Sequence, residues 1–106
     1  MKILKHNNIL YNLENIDRIT LEETASVPVP WLILEKDAVK MYRIPLTAPT
    51  IDFQLSDLTI QRILFKLHRY LATPGGVDLD LNDIIHQCAM EQKAMEDEYN
   101  HLAEIL

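Results

Sequence analysis

The chain contains one cysteine, Cys88, and only two glycines in 106 residues. A single cysteine excludes an intrachain disulfide and a cysteine-rich zinc site, and it favours a reducing, cytoplasmic setting. Two glycines are too few for a phosphate-binding loop. The apolar runs are only a few residues long, so the sequence predicts neither a membrane-spanning segment nor a signal peptide. We therefore expect a cytoplasmic protein with no membrane partner.

Basic residues are nearly absent from the last part of the chain. Residues 1–77 carry nine Lys/Arg and eight Asp/Glu, a balance of +1, whereas residues 78–106 carry one Lys and eight Asp/Glu, a balance of −7. An acidic surface repels nucleic acid and anionic lipid, so nucleic acid is not expected as a partner. The acidic segment either attracts a basic protein or keeps this protein in solution.

The chain does contain enough apolar material for one core. Hydrophobic residues make up 48% of the sequence and charged residues 25%, which predicts a single globular domain over residues 1–106. Short stretches of alternating apolar and polar residues predict a small, mainly antiparallel sheet within residues 2–46. Two helices are predicted after it, at about residues 57–72 and 81–105. Strands followed by helices indicate an α+β fold.

The first predicted helix has clear end signals. Ser56 is a suitable N-cap, Asp57 lies at the positive end of the helix dipole, and Pro74 follows the last turn. Its apolar face recurs at helical spacing, and we expect that face to cover the sheet. The apolar positions are Ile60, Ile63, Leu64, Leu67 and Leu71.

The second predicted helix carries a heptad-like pattern with one polar interruption, Gln92. The positions are 81, 85, 88, 92, 95, 99, 102 and 106. Such a helix would be about 39 Å long, whereas a short strand is about 17–20 Å long. Its end, about residues 91–106, is therefore expected either to protrude and mediate association or to pack back onto the preceding helix. The predicted interface residues are Met95, Tyr99, Leu102 and Leu106.

A basic strip lies on the first helix, formed by Arg62, Lys66 and Arg69. It could bind phosphate or another anionic group. Because the chain also carries an acidic last helix, we expect the two charged surfaces to attract each other, within the molecule or across a dimer.

No constellation of catalytic or metal-binding residues is recognisable. The four histidines are scattered, and no serine or cysteine stands beside one in a known nucleophile motif. Glu98 and His101 match the Glu-x-x-His spacing of di-iron bundles, but those sites need two such motifs on separate helices. We expect no metal, no cofactor and no catalytic residue, and we expect Cys88 to be a small buried side chain.

These patterns predict a non-enzymatic interaction or regulatory module that associates with itself, or with another protein, through its last helix. A first alternative is a ligand-binding protein or small enzyme with a pocket between sheet and helices, lined by Trp31, Tyr42 and His68. A second alternative is an acidic inhibitor of a basic partner.

Overall fold

The computed structural model describes residues 2–22 and 29–105. In these residues five strands precede the first of two helices, and a sixth, short strand lies between the helices. The elements are β1 (Ile3–His6), β2 (Ile9–Asn12), β3 (Arg18–Glu22), β4 (Trp31–Lys36), β5 (Val39–Pro45), α1 (Asp57–Ala72), β6 (Leu79–Asp80) and α2 (Leu81–Ile105). The predicted α+β class is confirmed. The strands, however, form two three-stranded sheets rather than one, in the orders β2-β1-β6 and β3-β4-β5.

The first sheet begins with a two-residue hairpin. Asn7 and Asn8 have φ values of 48° and 67°, a left-handed conformation that asparagine tolerates better than most residues. This turn pairs His6 with Ile9 and makes β1 and β2 antiparallel. On the other side of β1, the two residues of β6 pair in parallel, so the segment between the helices returns to the first sheet.

The second sheet is antiparallel, with β4 at its centre. Leu32 and Leu34 point into the core and pair with apolar residues on both neighbouring strands. Ile33 points to the opposite face and is nevertheless buried. Pro45, which has no N–H to donate, ends β5 at the edge of the sheet.

The core lies between the two sheets and the two helices. From α1 it receives Thr59, Ile60, Ile63 and Leu67. From the first half of α2 it receives Leu81, Ile84, Ile85, Cys88 and Ala89. The Ser56 hydroxyl accepts a hydrogen bond from the Thr59 N–H at the start of α1, as an N-cap should.

Lys2 joins the first sheet to the end of α1. Its ammonium group donates hydrogen bonds of 2.8 and 2.7 Å to the carbonyl oxygens of Tyr70 and Leu71. These carbonyls lie in the last turn of the helix and have no intrahelical partner, so the cation satisfies them and also complements the negative end of the dipole. Lys2 therefore attaches the C-terminal end of α1 to the segment that begins the first sheet.

Candidate functional site

The side chains that form the heptad-like pattern of α2 change environment abruptly along the helix. Leu81, Ile85 and Cys88 are fully buried, and Gln92 is 7% exposed. The next three positions are open to solvent: Met95 is 50%, Tyr99 74% and Leu102 53% exposed. Leu106, the fourth predicted interface residue, lies outside the described residues. We call residues 95–105 the overhang.

Gln92 marks the boundary between the two environments. Its Oε1 accepts a 2.9 Å hydrogen bond from the Ser56 N–H, and its Nε2 donates to the Gln54 carbonyl at 3.1 Å. Nε2 also donates to Glu96 Oε1 at 3.0 Å. The polar interruption in the heptad pattern therefore ties α2 to the residues that begin α1. Beyond this point the side chains of α2 are exposed to solvent.

The two helices are antiparallel, and the basic strip lies along their contact. Arg62 forms a 3.6 Å ion pair with Glu91, and Lys66 lies 3.4 Å from the Gln87 side-chain oxygen. The Arg62 guanidinium is also 3.8 Å from Met95 Sδ. Arg69 differs, because its guanidinium lies over the Phe65 ring, 5.9 Å from the centroid. Two of the three basic groups thus contact α2, whereas Arg69 contacts an exposed aromatic ring of its own helix.

The overhang is acidic as well as apolar. It carries Glu96, Asp97, Glu98 and Glu104, with no lysine or arginine. A shallow depression of about 340 Å³ lies on it, lined by Met95, Glu96, Tyr99 and Asn100. Ile105, which the heptad pattern did not include, is 67% exposed and widens the apolar stripe at its end.

The three residues predicted to line a pocket are not brought together. Tyr42 shares a face of the second sheet with Leu34 and packs edge-on against Tyr11, with ring centroids 5.2 Å apart. Side chains alternate between the two faces along a strand, and Trp31 is three positions from Leu34. Trp31 therefore lies on the face opposite to Leu34 and Tyr42. There the Arg43 guanidinium lies 4.7 Å from its ring centroid.

His68 lines a different depression, of about 430 Å³, between α1 and β3. Neither Trp31 nor Tyr42 contributes to it. The His68 Nε2 lies 2.9 Å from the Ile19 carbonyl oxygen, to which it donates. The depression is open, and this hydrogen bond gives His68 a structural role at the edge of the sheet.

The reactive side chains show no catalytic arrangement within residues 2–22 and 29–105. Cys88 is completely buried, and burial raises the pKa of its thiol, so the reactive thiolate is disfavoured. No group of three or more His, Cys, Asp or Glu side chains in the described part of the chain could hold a metal ion. His6 is buried with Nε2 2.8 Å from the Thr47 carbonyl, and His86 Nδ1 lies 3.0 Å from the Thr50 hydroxyl. Both histidines hold the loop after β5.

Sequence reasoning missed a second exposed stripe, on α1. Leu58 and Phe65 are 56% and 62% exposed, and they lie on the side of the helix away from the core. The signal was present, because the two residues are seven apart. The stronger apolar face around Ile63 determined the prediction, and it is the face that the core buries.

Comparison of the chain with protein-family models, with curated proteins and with solved structures found no match. Among the described helices, neither is long and apolar enough to cross a membrane.

Proposed function

We propose that this protein is a non-enzymatic interaction module that associates with itself through the overhang of α2. The supporting observation is the change at Gln92, beyond which the apolar side chains of the same heptad-like pattern become exposed. A helix that carries such a stripe beyond the part packed in the protein core resembles one side of a helix–helix interface. The proposal includes a regulatory role, a cytoplasmic setting and no cofactor.

Two apolar stripes that bury each other's side chains can supply a moderate affinity. Burying a side chain such as Met95, Tyr99 or Leu102 contributes about 1.5–3 kcal/mol each. Association costs about 4–15 kcal/mol in lost translational and rotational freedom, a cost that the burial of one stripe offsets only in the lower part of this range. Two copies that each bury a stripe double the favourable contribution, which is why a symmetric dimer is the preferred form.

The molar mass in solution, measured by sedimentation or by light scattering after gel filtration, tests this proposal. The unmodified protein is expected to be a dimer that dissociates on dilution. Leu102→Asp places a charge in the stripe and is expected to give a monomer, while its fold is retained because Leu102 is exposed.

His101→Asp is the matched control for this variant. It introduces a carboxylate one residue away, about 100° around the helix from Leu102 and outside the heptad-like positions. The control is expected to remain dimeric. A monomer at all concentrations for the unmodified protein, or equal association of all three proteins, would contradict the proposal.

The acid content of the overhang favours a second candidate function, an inhibitor of a basic partner. Four carboxylates in residues 95–105 would bind a basic surface with strong salt dependence. Association that disappears when salt is added would support this candidate, whereas a dimer held by the apolar stripe would persist.

A further inference from the structure

The outer side of α1 carries a stripe with the same spacing as the overhang. Leu58, Arg62, Phe65 and Arg69 follow one another at intervals of four, three and four residues. In the sequence, the pattern Met95, Tyr99, Leu102 and Leu106 has the same intervals, and its first three members lie on the overhang. Equal spacing means that both stripes follow their helices at the same angle, so they can face each other over their whole length.

The charges of the two surfaces are opposite. The α1 stripe contains Arg62 and Arg69 and is flanked by Lys66, whereas the overhang stripe is flanked by Glu96 and Glu98. If two overhangs paired with each other, these glutamates would face the same residues of the second copy and repel them. An overhang that contacts α1 avoids this repulsion.

Met95, at the start of the overhang, contacts Arg62 of its own α1, but the rest of the overhang extends away from that stripe. Helix α2 is continuous to Ile105, and its side chains beyond Gln92 are exposed to solvent. The two stripes also match in length, at about 15 Å for residues 95–105 and about 17 Å for residues 58–69. A second copy can therefore receive the part of the overhang that its own α1 leaves exposed.

We propose that the overhang of one copy packs on the outer stripe of α1 of a second copy, and that a two-fold axis makes the exchange reciprocal. This inference rests on the proposed function and adds the receiving surface to it. Each copy gives one overhang and receives one, so the assembly closes as a dimer. The axis passes near Arg62 and Met95, whose 3.8 Å contact joins the two stripes of one copy.

The arrangement defines which residues meet. Helices α1 and α2 are antiparallel within a copy, and a two-fold axis across them reverses their directions. The overhang is therefore parallel to α1 of the second copy. Pairing Met95 with the second copy's Leu58 aligns Leu102 with Phe65. Glu98 and Lys66 then occupy the flanking g and e positions, which form interhelical ion pairs in a parallel coiled coil.

Substitutions on α1 separate this arrangement from pairing of two overhangs. Phe65→Asp is expected to weaken dimerisation at least about tenfold, because it introduces a charge at the centre of the receiving stripe. Val77→Asp is the matched control, an apolar residue that is 80% exposed in the loop after α1. It is expected to leave the dissociation constant unchanged. Circular dichroism checks that both variants keep the fold.

A charge exchange tests the alignment. Glu98→Lys alone is expected to weaken the dimer about fivefold, and adding Lys66→Glu is expected to restore it. If two overhangs paired instead, Lys66→Glu would not restore the dimer and Phe65→Asp would have no effect.

The outcomes distinguish the two proposals. Dissociation by Leu102→Asp but not by Phe65→Asp overturns the α1 receiving surface and leaves self-association intact. A monomeric unmodified protein overturns both. Dissociation by Leu102→Asp and by Phe65→Asp, with restoration by the charge exchange, supports both.

Discussion

The two halves of α2 have the same apolar spacing and opposite environments. In residues 81–92 the spaced side chains are buried, whereas in residues 95–105 each corresponding residue is half or more exposed to solvent. The difference comes from the neighbouring helix. Helix α1 begins at Asp57, close to Gln92, so it packs mainly on the part of α2 that precedes this residue, and its Arg62 reaches as far as Met95.

This comparison shows that periodicity identifies the apolar face of a helix but does not tell what, if anything, covers that face. The first half obtains its partner from its own chain. The second half carries the same kind of face, with acidic residues beside it, and its own chain leaves that face exposed. Experiments that weaken one half without affecting the other therefore test whether the two halves have different functions.

The largest expected effect is on the buried half. Ile85→Ala removes a fully buried side chain and is expected to lower the free energy of unfolding by about 2–5 kcal/mol. Leu102→Ala, measured at a concentration where the protein is monomeric, is expected to change it by less than about 0.5 kcal/mol. Chemical denaturation measures both. Similar losses at the two positions would show that the overhang packs on its own body.

A smaller effect is expected at the boundary. Gln92→Leu leaves the Ser56 N–H and the Gln54 carbonyl without their partner, which is expected to cost about 1–3 kcal/mol. Gln87→Leu is the control, because Gln87 is exposed on the same helix and contacts only the Lys66 side chain at 3.4 Å. Its expected cost is below about 0.5 kcal/mol. Equal losses of unfolding free energy in the two variants would show that Gln92 does not attach α2 to the residues that begin α1.

Much of the fold was predictable because it depends on local signals. The bounds of both helices agree with prediction, since Ser56 caps α1 and Asp80 accepts a hydrogen bond from the Asn82 N–H at the start of α2. The hairpin at Asn7 and Asn8 also follows from local chemistry. These features need no knowledge of distant parts of the chain.

The division into two sheets was not predictable, because it depends on pairing between distant residues. Strand β6 has only two residues, too few to show a period, and its partner residues in β1 lie 75 positions earlier, as in the pairing of Leu4 with Leu79. The predicted pocket failed to assemble for a related reason. The pairing of Leu34 with Tyr42 places Tyr42 opposite to Trp31 on the sheet, and sequence alone does not give that pairing.

The smallest expected effect concerns pH and the buried half of α2. Burial raises the pKa of the Cys88 thiol above that of the unfolded chain, and Lys66 and Arg62 only partly oppose this effect. The stabilisation is complete below the ordinary thiol pKa of about 8.5 and is lost as pH rises through the higher pKa of the folded state. The free energy of unfolding should therefore decline as pH increases above about 8.5.

Cys88→Ala separates this contribution from other titrating groups. The variant is less stable at neutral pH because it loses a packed sulfur, but between about pH 7.5 and 9.5 its free energy of unfolding should decline less than that of the unmodified protein. Tyr70, whose phenol pKa is also raised by burial, titrates in a higher range, and Tyr70→Phe identifies its share. Parallel curves for the unmodified protein and Cys88→Ala would show that the thiol reaches solvent in the folded state. The first half of α2 would then be less firmly packed than its burial indicates, and the contrast with the overhang would be weaker.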